Sequence, residues 1–228
     1  MIMKKKTKMS MDNKLNMLRA GVLGANDGIL TVVGVLFSVV AATTNPFIIF
    51  IAGLSDLLSC AFSMSAGEYA SVSSQRDTEK AAVGEEKLRL KADPEAEYEL
   101  VANFYMEKGV TKETAHQIAR SLMDSAPLKT AVDVRYDMDL DEYLTPWGAA
   151  ISSLFSAALG GVFPLVAMTL APSDFKMQAT IIATVISVAL TGFLSSELGN
   201  GLPKKAVIRN VIVGIITMFI HYYIGKLF

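Results

Sequence analysis

Five stretches of this chain, roughly residues 20–42, 46–71, 147–170, 177–198 and 206–228, are apolar for long enough to cross about 30 Å of hydrocarbon as helices. A soluble domain of 228 residues can bury only part of that apolar surface, so a 52% hydrophobic composition points to lipid. The expected fold is an all-α membrane protein with five transmembrane helices. Its first two spans are joined by Thr43-Thr44-Asn45, which is too short for anything but a tight hairpin. Residues 171–175 join the third span to the fourth, and residues 199–203, followed by Lys204 and Lys205, join the fourth to the fifth.

The net charge of -1 hides an asymmetry: residues 75–145 hold 16 of the 22 acidic and 10 of the 21 basic side chains. A near-neutral membrane protein with one acidic insert is not a nucleic-acid binder on charge grounds. Lys4, Lys5, Lys6, Lys8, Lys14 and Arg19 precede the first span, and Lys204, Lys205 and Arg209 open the fifth, whereas the turn at 43–45 has no basic residue. The positive-inside rule then puts the N-terminus in the cytosol and the C-terminus on the far side. Residues 1–14 have no apolar run followed by a small-residue cleavage site and read as a cytosolic tail. A single cysteine, Cys60, excludes a disulfide framework and a Cys-rich zinc site.

This orientation makes residues 75–145 a cytosolic insert, expected as a small three-helix bundle between residues 1–74 (tail and spans one and two) and 146–228 (spans three to five). The second span should run on as helix until Asp93-Pro94. Pro94 suits a first helical turn, where Glu95, Glu97 and Glu99 meet the positive end of the dipole. That helix stops at Lys108-Gly109, Thr111 is expected to cap the next, and a short piece over 129–136 leads to Trp147, whose ring suits the membrane interface.

Four acidic residues lie within the apolar spans or at their ends: Asp27, Asp56, Glu68 and Glu197. A carboxylate near mid-bilayer costs on the order of 3 kcal/mol, so Asp56, deep in the second span, is a functional candidate first and a helix-pairing group second. Cys60, Met64 and Glu68 follow Asp56 at steps of four, with Ser55, Ser59, Ser63 and Gly67 beside them. Such a stripe winds slowly around a helix and would line a path. Carboxylate oxygen with thioether sulfur suits iron(II) or a related transition ion better than calcium or magnesium, although Met64 alone could equally be core packing. In the first span Gly21, Gly24 and Gly28 form a small-residue face for close helix packing, which leaves Asn26 and Asp27 to be explained.

In the insert, Glu85, Glu86, Glu95, Glu97 and Glu99 come from two helices hinged at Asp93-Pro94. They form either a solvated acidic face or a cation site, to which His116 and Met123 could add softer ligands. Glu113-Thr114-Ala115-His116 has the Glu-x-x-His spacing of di-iron carboxylate proteins, but the only other histidine is His221, in the fifth span. A di-iron oxidase and a non-transporting metal sensor are therefore the competing readings. No Ser–His–Asp, Cys–His or nucleotide-binding constellation is present, and the chain does not read as an enzyme.

The run from Leu18 through Gly24-Ala25-Asn26-Asp27-Gly28 to Ile29 resembles the first-helix signature of the vacuolar iron transporter family. Gly53-Leu54-Ser55-Asp56, Ser63-Met64-Ser65-Ala66-Gly67-Glu68-Tyr69 and Ser74-Gln75-Arg76-Asp77 resemble its second-helix signature. The resemblance covers essentially the whole chain and implies a homodimer in the bilayer. It also implies an iron path lined by the first two helices, and proton antiport driving Fe2+ out of the cytosol, into a vacuole or across a prokaryotic plasma membrane. No prosthetic group is implied, and Mn2+, zinc or cobalt are alternative cargoes. Asp27, Asp56 and Met64 match the family's translocation residues, with Asp56 standing where relatives also carry Glu. Glu86 and Glu97 match the first members of the family's cytosolic glutamate pairs, but the second members fall on Arg89 and Leu100. Leu122-Met123 resembles the Met-bearing stretch, with Ala126 where an acid is expected.

Overall fold

The computed structural model describes residues 11–140, 144–199 and 201–227; the tail with Lys4, Lys5, Lys6 and Lys8, together with Asn200 and Phe228, lies outside the described residues. Among the described residues the chain forms α1 (Met11–Ala42), α2 (Pro46–Ala92), α3 (Pro94–Glu107), α4 (Lys112–Ser125), α5 (Pro127–Tyr136), α6 (Pro146–Leu170), α7 (Lys176–Leu198) and α8 (Pro203–Lys226). Five of them, α1, α2, α6, α7 and α8, are long and apolar enough to cross a membrane, and the chain is an all-α membrane protein. Five helices open on a proline, whose missing N–H loses nothing in a first turn. Asn45 caps α2 by accepting from the amides of Phe47 at 3.0 Å and Ile48 at 3.4 Å. Hydropathy marks only the lipid-embedded part of a helix, so α1 starts at Met11, ahead of the expected residue 20.

The chain divides into two compact units, Met1–Ser71 with Thr145–Phe228, and Val72–Leu144. In the first unit α1 and α6 are the most enclosed helices, and α1 supplies much of the core. Its Val32, Val33, Leu36 and Phe37 pack with Ile49 and Leu57 of α2, Leu165 and Met168 of α6, and Met218 of α8. The α1–α6 crossing is close because it is built from small residues: a Cβ at Gly28 would stand 2.1 Å from the Ala157 carbonyl oxygen, and one at Gly160 would stand 2.5 Å from that of Ala25. The outer faces carry large apolar side chains such as Phe155, Leu159, Phe163, Ile186, Leu190, Ile212 and Phe219, the pattern expected of a surface solvated by lipid tails. Thr180, Thr184, Ser187 and Thr191 turn their hydroxyls back onto carbonyls four residues earlier, which satisfies α7's polar groups within the helix.

In the second unit Val101, Ala102 and Ala119 form the centre, covered by Tyr98, Tyr105, Met123 and Val134. Asp93 caps α3 by accepting from the Ala96 amide at 3.0 Å. Thr111 holds the cap position of α4, but its side chain does not cap: the hydroxyl donates to Thr114 Oγ1 at 2.9 Å, and the expected side-chain cap is corrected accordingly.

Candidate functional site

The α1–α2 hairpin brings the intramembrane acids together through one register. Cys60 Sγ donates to Asp27 Oδ2 at 3.6 Å. Four residues towards the turn on each helix, the Thr31 hydroxyl faces Asp56. Eight residues away from the turn on each helix, Arg19 Nη2 meets Glu68 Oε2 at 3.1 Å. Antiparallel helices joined by three residues pair positions equally far from the turn, so the Thr43–Asn45 connection dictates all three partnerships. The polar stripe of α2 therefore faces α1: Asp56, Cys60 and Glu68 each meet a polar α1 residue. Met64 packs with Cys60, Ala61, Leu154 and Ala157 in the small cluster against α6.

Asp56 is the least satisfied of these groups. Its Oδ2 is buried and has no hydrogen-bond partner, and the Thr31 hydroxyl beside it is likewise without an aligned partner. Leaving a buried carboxylate oxygen unpaired costs about 1–3 kcal/mol or more, so a fold that keeps it there has a use for an open acceptor. Glu68 by contrast is buried and balanced by Arg19, which also donates to Asn16 Oδ1 at 3.2 Å. Asn26 is accounted for by packing, since its Oδ1 accepts from Asn210 Nδ2 at 3.3 Å and so joins α1 to α8.

The insert's glutamates separate into two kinds. Glu86 is fully buried and Glu97 nearly so, and both meet the Arg135 guanidinium of α5: Glu86 Oε2 lies 2.9 Å from Nε, and Glu97 Oε2 accepts from Nη2. The Nε contact is ionic without hydrogen-bond alignment, so neither Glu86 oxygen has a directed donor. Burial, with Glu97 alongside, pushes the Glu86 carboxyl above its ordinary value, against the pull of Arg135 and Arg89. Glu85 and Glu99 stand apart: Glu85 is exposed and 3.9 Å from Arg89, and Glu99 lies 3.9 Å from His116 Nδ1, whose ring stacks on Tyr98. Met123 lines a cavity of about 570 Å³ among Lys87, Lys91, Arg120 and Tyr98, away from the buried acid pair. Among the described residues, no three His, Cys, Asp or Glu side chains gather as a ready chelate.

The match to known proteins spans this whole arrangement. The family model described as the VIT family matches residues 18–226, from the start of the first-helix signature to the end of α8. This chain belongs to the VIT family. A protein named vacuolar iron transporter from Acanthamoeba castellanii is 32% identical over 92% of this chain and 78% of its own length. Vacuolar iron transporter homologs 2.1 and 3 from Arabidopsis thaliana are 26% and 27% identical over 92% of the chain, covering 80% and 82% of theirs. In this VIT family member Arg19, Thr31 and Arg135 join the site although no sequence motif marks them as site residues. The first two were accessible from the hairpin register. Arg135 was not, because nothing local marks it as the partner of acids 38 and 49 residues away.

Proposed function

We propose that this protein exports divalent iron from the cytosol in exchange for protons, through a path between α1 and α2. The observation that carries the reading is Asp56: a carboxylate deep in an apolar span, one oxygen buried and unpaired, one helical turn from the Asp27–Cys60 contact. Buried carboxylates of this kind can alternate between a proton and a metal ion, which couples the two fluxes without a nucleotide. Asp27, Asp56 and Met64 line the path, and Glu68 with Arg19 marks its cytosolic end. Oxygen with sulfur favours a transition ion over calcium or magnesium, and the names of the relatives support iron.

The insert takes a secondary part. Exposed Glu85 and Glu99 attract cations on the cytosolic side, whereas Glu86 and Glu97 already have a counter-ion in Arg135. The protein works as a homodimer, a reading supported by the exposed small-residue face of α2 at Ser55, Ser59, Ser63 and Gly67, where a Cβ on Gly67 would meet nothing within 4 Å. The test is iron flux in proteoliposomes under a pH gradient. Asp56→Asn should fold, dimerise and carry no iron; near-normal flux through that variant, or wild-type flux indifferent to the pH gradient, overturns the assignment.

A further inference from the structure

Near the connection that joins them, α7 and α8 meet through bare backbone: a Cβ on Gly192 would stand 2.9 Å from the Ala206 carbonyl oxygen. Beside that contact lies a groove of about 810 Å³, walled by Phe193 of α7 and by Leu202, Val207 and Ile208 at the start of α8. Phe193, Leu202 and Ile208 are exposed. Lys204 and Lys205 share the lining. Neither has a carboxylate partner among the described residues, and Glu197, the nearest acid along the chain, stands outside the lining.

The groove is graded along the helix axis. The two lysines sit in the first turn of α8, and Val207 and Ile208 follow three to four residues on, about 5 Å deeper. Lys204, Lys205 and Arg209 are also the charges by which the positive-inside rule places this end of α8 in the cytosol. Cations at the water boundary with apolar walls below them reproduce the order of groups in a phospholipid, headgroup first and acyl chain beneath. Two other clefts on the lipid-facing surface, of about 550 Å³ and 450 Å³, have no charged residue in their linings. Those suit the acyl chains of any lipid, whereas the α7–α8 groove adds a seat for negative charge.

We propose that this groove binds an anionic phospholipid of the cytosolic leaflet, its phosphate on Lys204 and Lys205 and one acyl chain along Phe193, Val207 and Ile208. A free phosphate ion would meet the lysines but gain nothing from the apolar walls. A zwitterionic lipid would fill the walls but bring a phosphate already balanced by its own amine. Each lysine beside an anionic headgroup is worth about a fivefold preference, so the pair is worth about 30-fold. The site stands independently of the proposed iron path between α1 and α2.

The experiment takes the full-length protein in mild detergent, adds phosphatidylglycerol and phosphatidylcholine of identical acyl chains together, and counts the lipid each protein retains by native mass spectrometry. The wild type should favour phosphatidylglycerol by about 30-fold, and Lys204→Gln with Lys205→Gln should bring that below about threefold. Lys87→Gln with Lys91→Gln, which removes the same charge from the insert, should leave the preference intact. Ile208→Trp keeps both lysines but fills the groove, and should cut phosphatidylglycerol retention by about tenfold, the worth of roughly two buried methylenes. A wild type without preference, or a preference that survives the loss of Lys204 and Lys205, overturns the site. Displacement of the lipid by inorganic phosphate alone, or retention unchanged in Ile208→Trp, overturns the lipid as its occupant. A wild-type dimer that Ile208→Trp converts to a monomer gives the groove to a second copy of the chain and overturns it equally.

Discussion

Cys60 donates its thiol hydrogen to the Asp27 carboxylate across 3.6 Å, tying α2 to α1 within their membrane-spanning segments. On the proposed path the charge of Asp27 is the working feature, and the thiol only orients it. Asp27→Ala should therefore lower iron flux by more than about 100-fold at every iron concentration, whereas Cys60→Ala, which removes only the orienting contact, should cost less than about tenfold. Concentration-dependent uptake for both variants decides the ranking; equal losses would make the thiol itself an obligatory ligand.

The Arg19–Glu68 pair is asymmetric, with the arginine 59% exposed and the glutamate 7%. Arg19→Ala strands a buried carboxylate, while Glu68→Gln leaves a guanidinium that water can solvate. After discounting for the exposed partner, Arg19→Ala should destabilise by about 1–2 kcal/mol and Glu68→Gln by less than about 1 kcal/mol. Thermal melts in detergent, read at one pH, test the order.

In the insert, Arg135 is the counter-ion of two buried acids, and Arg135→Ala should cost about 3 kcal/mol in the stability of that unit. Its pH dependence has a defined sign. Burial and Glu97 raise the Glu86 carboxyl in the folded state above 4.5, so the folded form holds this proton more tightly than the unfolded one. Stability is fully present below that ordinary value and declines as pH rises through the raised one. Glu86→Gln should flatten the decline. Hydrogen exchange of α3 and α5 amides in the intact protein, measured from pH 4 upward, reports it; a slope unchanged by the substitution would place the proton elsewhere.

The glycines of α1 and α2 should behave differently. Gly28→Ala forces a Cβ against the Ala157 backbone and should lose more than about 3 kcal/mol, seen as aggregation on purification. Gly67→Leu points into open space and should leave the fold intact. If the exposed α2 face joins two copies, the leucine variant should elute as a monomer in detergent where the wild type elutes as a dimer; a wild type that is itself monomeric removes the dimer proposal.

Some of this protein is written in local sequence alone. Spans are set by apolar length, because lipid offers no partner to a backbone amide, and helix starts are set by prolines at Pro46, Pro94, Pro127, Pro146 and Pro203. Asp27 and Asp56 stood out for the same reason: a charge in an apolar run is costly wherever the run packs. Even their pairing was available, since the turn at Thr43–Asn45 counts residues equally along both helices. Tertiary structure decided which charges are buried and what answers them. Glu86 and Glu85 are adjacent and identical in kind, yet one is fully enclosed beside Arg135 and the other faces solvent. His221 reads as an isolated intramembrane histidine until α8 lays it across Gly34 and Ser38. Hydropathy adds along the chain and can be read from it, whereas the partner of a buried charge depends on which helix faces meet, and that is settled only when the helices pack.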